Sequence, residues 1–169
     1  MRSLERSLRF EPWEISSKGK IVLLGIGNSY MHDDAIGPRV LEELRKLKVS
    51  DKVLLFDYRS LDLALLGYFK DSSRIVIVDA LKAGMDPGTV SKYVVSSTND
   101  SSSNTPGLHE LELHDIVDLA SQTGVTCPIV VVGVEPKDCS LGEGLSAEVE
   151  ESLPNVINEV LIELNQLGD

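Results

Sequence analysis

The stretch that decides the fold is IVLLGIGNSYMHDDAIGPRVLEEL, residues 21–44. It opens with a continuous apolar run, IVLLGIG at residues 21–27, which is typical of a strand buried on both faces of a parallel sheet. It closes with a helical pattern that sets Ile36, Val40 and Leu44 on one face. Between them lies a turn with two adjacent acids, Asp33 and Asp34. A phosphate-binding turn would present bare backbone N–H groups here, so the two negative charges need another explanation.

The same strand pattern recurs along the chain, and helical patterns separate the strands. Apolar runs at 52–57, 74–80 and 128–136 match the first run, and a mixed run at 89–95 predicts an edge or antiparallel strand. Helices are predicted at 35–47, 61–70, 109–124 and 146–167, and Pro154 should bend or break the last one. This alternation predicts a single three-layer α/β/α sandwich with a twisted, mainly parallel sheet of about five strands.

Length and composition fit one domain. A chain of 169 residues with 42% hydrophobic content can bury a proper core, which we assign to residues 20–169 after an N-terminal extension, residues 1–19. One Ser-rich segment, residues 96–107, predicts a long loop that is either functional or mobile. The two cysteines, Cys127 and Cys139, lack the close spacing of zinc or redox motifs, so we expect neither a disulfide framework nor structural zinc.

The charge argues against two classes of partner. A net charge of −11 would repel nucleic acid and an anionic membrane surface, so neither is expected as a partner. No apolar run approaches the length needed to span a bilayer, and the first residues lack the apolar stretch of a signal peptide. We therefore predict a cytoplasmic protein.

Acids follow four of the apolar runs. Asp33 and Asp34 follow the first run, and the others end at Asp57, Asp79 and Glu135. Ligands of an open parallel α/β sheet bind outside the carboxyl ends of its strands. A single acid is more simply a helix N-cap, a role open to Asp33 or Asp34. Several carboxylates at one edge instead predict a cation, because like charges destabilise one another unless they are neutralised.

Histidine is the usual third ligand for a transition metal held by two carboxylates. His109 lies where the Ser-rich loop meets a helix and is preferred as a ligand with Asp34 and Asp79. His32 is kept as a reserve ligand, and His114 is interpreted as solvated or packed. A nucleotide-binding domain is the rival interpretation, but Tyr30 stands where the third glycine of its fingerprint belongs.

Five segments together resemble the hydrogenase maturation endopeptidases, which trim the C-terminal tail of the large subunit of [NiFe] hydrogenases. They are GIGNSYMHDDAIGPRVLEEL, IVIVDAL, DPGTV, GLHELELHDIV and VVVGVEP, and the resemblance covers about residues 20–165. It implies an α/β domain whose metal-contacting and catalytic residues are Asp34, Asp79 and His109. Nickel is then presented by the partner, the immature large subunit, rather than held by the free enzyme.

One segment departs from the family pattern. Relatives often read Asp-Gly-Gly-Thr after the second strand, whereas this chain reads DYRS, residues 57–60. Tyr58 and Arg59 in place of two glycines suggest a different client subunit or a changed role. Two functions are therefore weighed: an endopeptidase, and a nickel-dependent maturation factor that binds the loaded subunit without cutting it.

Overall fold

The computed structural model describes residues 18–58, 63–95, 111–122 and 124–165. Within these ranges the strands are β1 Ile21–Ile26, β2 Val53–Tyr58, β3 Arg74–Ala80, β4 Val90–Val95 and β5 Ile129–Val134. The helices are α1 Ile36–Lys46, α2 Leu63–Lys70, α3 Leu111–Gln122 and α4 Ala147–Asn165. A short 3-10 helix, His32–Ala35, joins β1 to α1.

The strands form a single mixed sheet in the order β2-β1-β3-β5-β4. All pairs are parallel except β4 with β5, which is antiparallel. The inner strands β1 and β5 are buried along their whole length, whereas β4 is only partly covered. This difference explains why the inner strands are continuous apolar runs and β4 mixes polar with apolar residues. The predicted fold class is confirmed.

Two apolar cores lie on opposite faces of the sheet. On one face, α1 and α4 pack through Val40, Leu44, Val156 and Val160. On the other, α2 and α3 pack through Phe69, Ile116 and Ala120. Alternate residues of each strand enter alternate cores, as the pleat requires. The arrangement is therefore the predicted three-layer sandwich.

The start of α1 lies against the end of β1 at backbone distance. A Cβ atom at Gly37 would lie 2.2 Å from the carbonyl oxygen of Ile26, and one at Gly25 would lie 2.6 Å from the carbonyl oxygen of Gly37. Real Cβ atoms do not approach so closely, so both positions require glycine. The two glycines thereby fix where the turn after β1 sits above the sheet.

The sequence predicts that Pro154 should bend or break the last helix, and the helix is not broken. Helix α4 runs without interruption from Ala147 to Asn165 with Pro154 inside it. Pro154 is exposed, so the carbonyl of Glu150, which loses its partner N–H, lies on the solvent side of the helix. Water can satisfy that carbonyl, and the buried residues on the opposite side hold the helix together.

Several predictions fall on residues outside the described ranges. Residues 1–17 of the predicted extension and the whole Ser-rich loop, residues 96–107, are among them. The domain boundary and the role of that loop remain predictions. In the described ranges, no helix has the length and apolar character needed to cross a bilayer.

Candidate functional site

The sheet order places a topological switch point at the carboxyl ends of β1 and β3. The chain places β2 on one side of β1 and β3 on the other, so connections leave in opposite directions between them. Open α/β sheets bind their ligands at such a switch point. Asp34 follows β1, and Asp79 is the residue before the last one of β3.

Asp79 is buried at this edge, with 1% of its surface exposed. It pairs with Gly133 of β5, and its strand neighbours Val78 and Ala80 point into the core under α1 and α4. The Asp79 side chain therefore faces the other layer, where Ile75 and Ile77 pack under α2 and α3.

Asp34 lies in the 3-10 helix His32–Ala35, which contacts β3. Its Oδ2 accepts a hydrogen bond of 2.7 Å from the backbone N–H of Asn28. Gly27 has φ of +131°, and a Cβ there would lie 1.7 Å from the backbone oxygen of Asp34. The turn can fold Asp34 back over the end of β1 only because residue 27 is glycine.

Asp33 has a different role from its neighbour. It is fully buried, and its carboxylate accepts hydrogen bonds from the N–H groups of Lys137, Asp138 and Ser146 and from the Ser146 hydroxyl, at 2.6 to 2.9 Å. Burial alone would raise the pKa of this carboxyl, but these donors hold the pKa below its usual value. Neither the 3-10 helix nor α1 begins with a side-chain cap bond, so the N-cap interpretation of Asp33 or Asp34 is wrong.

Asp33 fastens the segment 137–146, which we call the clamped loop, to the turn after β1. Backbone hydrogen bonds continue this contact, from Asp33 N–H to the Asp138 carbonyl and from Gly142 N–H to the Tyr30 carbonyl, both at 2.9 Å. His32 belongs to the same contact, with Nδ1 3.0 Å from the Gly144 carbonyl oxygen. That nitrogen is therefore a donor, and it ties His32 to the clamped loop. The reserve ligand role of His32, which would use Nε2, stays a prediction.

Two of the strand-end acids do not join Asp79. Glu135 is buried and its Oε2 accepts a hydrogen bond from Ala83 N–H at 2.7 Å, so it holds the connection after β3. Asp57 pairs with Gly25, which also pairs with Val78, so the Asp57 side chain lies on the opposite face of the sheet from Asp79. Sequence alone could not reveal this, because the face depends on the register between strands.

The predicted third ligand, His109, lies outside the described residues, and so does the side chain of His114. Among the described residues, no group of three His, Cys, Asp or Glu side chains could hold a metal ion. The trio Asp34, Asp79 and His109 therefore remains a prediction. Two of its members, Asp34 and Asp79, lie at the carboxyl ends of β1 and β3.

The chain is similar to known proteins of one family. The family model described as HycI, hydrogenase maturation protease, matches residues 38–163. The chain belongs to the hydrogenase maturation protease family. This confirms the resemblance found in the sequence and the expectation of a peptide-bond hydrolase, and it favours that function over the nucleotide-binding alternative.

Individual relatives of this protease family agree. The chain is 30% identical over 128 residues to the hydrogenase expression/formation protein HupD of Bradyrhizobium diazoefficiens, covering 73% of this chain and 66% of that protein. It is 28% identical to the hydrogenase 2 maturation protease of Escherichia coli, and the match covers 88% of this chain and 93% of that protein. The solved structure of the hydrogenase maturating endopeptidase HybD of E. coli superposes with a TM-score of 0.74 at 29% identity. The superposition covers 88% of this chain and 94% of that one.

Tyr58, the departure from the family pattern, is a core residue. It is buried at the end of β2 in the layer under α2 and α3, beside partly buried Phe56. Arg59 and Ser60 lie outside the described residues. Tyr58 therefore adds an aromatic ring to the core on the same face of the sheet as Asp79.

Proposed function

We propose that the chain is an endopeptidase that removes the C-terminal extension of a [NiFe] hydrogenase large subunit after nickel insertion. Asp34, Asp79 and His109 contact the nickel that the precursor carries. Membership of the hydrogenase maturation protease family supports this proposal. The observation that carries it is that Asp34 and Asp79 both lie at the switch point between β1 and β3.

The two carboxylates favour a cationic ligand. Asp79 is almost completely buried at the end of β3, and a positive charge close to a buried carboxylate stabilises its ionised form. Asp34 uses Oδ2 to accept the Asn28 N–H, and within the described part of the chain its Oδ1 accepts no hydrogen bond. One oxygen of Asp34 thus holds the turn in place, and the other can meet a cation. Hard oxygen donors alone bind nickel weakly, so a histidine is a sensible third donor.

The position of α3 supports His109 as that donor. Helix α3 packs on the same face of the sheet as the Asp79 side chain, through Ile116 and Ala120. It connects to β5 by a short segment, residues 123–128, so it ends near the amino end of β5 and begins toward the opposite edge. That edge carries Asp34 and Asp79. His109 precedes the first residue of α3, Leu111, by two positions.

The chemistry divides between the precursor and this chain. The nickel of the precursor supplies Lewis acidity that polarises the scissile carbonyl or activates a water. Asp34, Asp79 and His109 orient the loaded precursor and complete its donor set only when nickel is present. An aspartic-type role, in which a carboxylate accepts a proton from the attacking water, belongs to the same proposal. Cleavage then reports that the metal has been inserted.

The test uses three single variants and one matched control. Asp34→Asn, Asp79→Asn and His109→Ala should each leave the precursor unprocessed in co-expression, with a drop in rate of at least about a hundredfold. Asp51→Asn, an exposed acid far from the site in the turn before β2, should process normally. Thermal melting checks that each variant is folded.

Mass spectrometry of the precursor C-terminus separates cleavage from binding alone. A shortened mass supports the endopeptidase. A full-length precursor that nevertheless binds the chain in a nickel-dependent way would instead identify a non-cleaving maturation factor. Normal tail removal by all three site variants would eliminate the site.

A further inference from the structure

Two large apolar side chains stand exposed beside the candidate site. Tyr30 is 61% exposed and Leu141 is 84% exposed. Tyr30 belongs to the turn after β1, and Leu141 belongs to the clamped loop. Exposed side chains of this size that lie together often mark an interaction surface.

The backbone holds these two residues next to each other. Met31 and Gly142 form a parallel bridge, and Tyr30 and Leu141 immediately precede them. The Gly142 N–H donates to the Tyr30 carbonyl at 2.9 Å. The two apolar side chains therefore form one patch, although residues 30 and 141 are distant in sequence.

We propose that Tyr30 and Leu141 form a docking patch for apolar side chains of the precursor segment next to the cleaved bond. This proposal rests on the proposed function, because it takes the precursor as the occupant. It adds a surface that selects the client by its apolar residues, separately from the contact with nickel.

The patch is continuous with the candidate site. The Asp34 N–H donates to the Met31 carbonyl at 3.0 Å, and the Tyr30 N–H donates to Asn28 Oδ1 at 3.0 Å. Asn28 in turn donates to Asp34. A polypeptide whose scissile bond lies at Asp34 must therefore pass near Tyr30.

The patch is also rigidly presented. Asp33 is fully buried and ties the turn to the clamped loop by four hydrogen bonds. An exposed apolar group on a fixed backbone loses little conformational freedom when a partner covers it, which favours binding. Asp33 thus connects the docking patch to the site residue that follows it, Asp34.

Charge distinguishes the precursor from a second copy of this chain. Asp138 and Glu143 are exposed in the clamped loop on either side of Leu141, and Lys137 is paired with Glu148 at 2.6 Å. The chain has a net charge of −11. Two copies meeting through this patch would bring like charges together, whereas a client segment that is neutral or basic would not.

The test compares matched apolar substitutions at opposite ends of the molecule. The double variant Tyr30→Ser, Leu141→Ser is measured against Leu47→Ser, which lies 59% exposed at the end of α1. The probe is the nickel-loaded large-subunit precursor of a [NiFe] hydrogenase from the same organism. Removing two apolar side chains that become buried should lower kcat/KM about tenfold through a higher KM, whereas Leu47→Ser stays within about twofold.

The outcomes separate the two proposals. Wild-type kcat/KM in the double variant would overturn the docking patch and leave the endopeptidase intact. If the wild type does not cleave, direct binding of the precursor decides: weaker binding by the double variant supports the patch, and equal or absent binding overturns it. Sedimentation of the free chain adds a further check, because a dimer that the double variant abolishes would assign the patch to a second copy instead.

Discussion

At the scale of single residues, Asp33 accepts four hydrogen bonds in the interior, while Asp34 accepts one from Asn28 at the strand end. The sequence pattern predicted an acid cluster here, and it selected Asp34 as the ligand. It did not predict the role of Asp33, because all its partners are more than a hundred positions away in the chain.

Asp33→Asn should destabilise the fold. Both oxygens of the Asp33 carboxylate accept hydrogen bonds, whereas an amide has only one acceptor oxygen. The NH2 group of Asn would therefore face at least one N–H donor and leave it without an acceptor. We expect the free energy of unfolding to fall by about 3 kcal/mol. Chemical denaturation measures it, with the exposed Asp51→Asn as the control. A loss no larger than that of the control would show that Asp33 does not hold the clamped loop.

The contribution of Asp33 should disappear in acid. Its pKa is lowered in the folded state, so its stabilisation is fully present above the unfolded value of about 4 and is lost as the pH falls through the folded value. The difference in unfolding free energy between wild type and Asp33→Asn should therefore shrink as the pH falls below the unfolded value and through the lowered folded value. Denaturation curves across that range test this, and a difference that stays constant would contradict it.

At the scale of secondary-structure elements, the position of the site depends on how closely α1 approaches β1. Gly25 and Gly37 allow backbone contact between them, and the 3-10 helix that carries Asp34 leads directly into α1. A helix held further from the sheet would move Asp34 away from Asp79. Gly25 and Gly37 thus help to position the site.

Two glycine-to-alanine variants should change stability in opposite directions. Gly37→Ala places a Cβ against the backbone of Ile26 and should cost about 3 kcal/mol. Gly67→Ala lies in α2, where a Cβ meets no atom within 4 Å, so it should stabilise by about 1 kcal/mol through helix propensity. Thermal melting compares them. A neutral Gly37→Ala would mean that the contact between α1 and β1 can relax.

The sequence predicted the elements well because the inner strands are continuous apolar runs and the helices have clear apolar faces. All five strands were predicted within two residues at each end. Strand register could not be predicted, and register decides that Asp57 faces away from Asp79. The continuity of α4 through Pro154 was also missed, because it depends on packing by residues that lie on the buried side of that helix.

At the scale of the whole molecule, one edge of the sheet combines three features. It carries Asp34 and Asp79 at a switch point, the clamped loop held by Asp33, and the exposed patch of Tyr30 and Leu141. The net charge of −11 suits a client that is neutral or basic around its cleaved segment. The family resemblance gave the function class, whereas the docking patch required the fold, since its two residues meet only through the clamped loop.

The most direct measurement is the mass of a large-subunit precursor after incubation with wild type or Asp79→Asn, with nickel-loaded and nickel-free precursor side by side. We predict that only the wild type shortens the precursor, and only when nickel is present. Equal shortening of the nickel-free precursor, or shortening by Asp79→Asn at the wild-type rate, would contradict a cleavage site built on Asp34 and Asp79 around nickel held by the substrate.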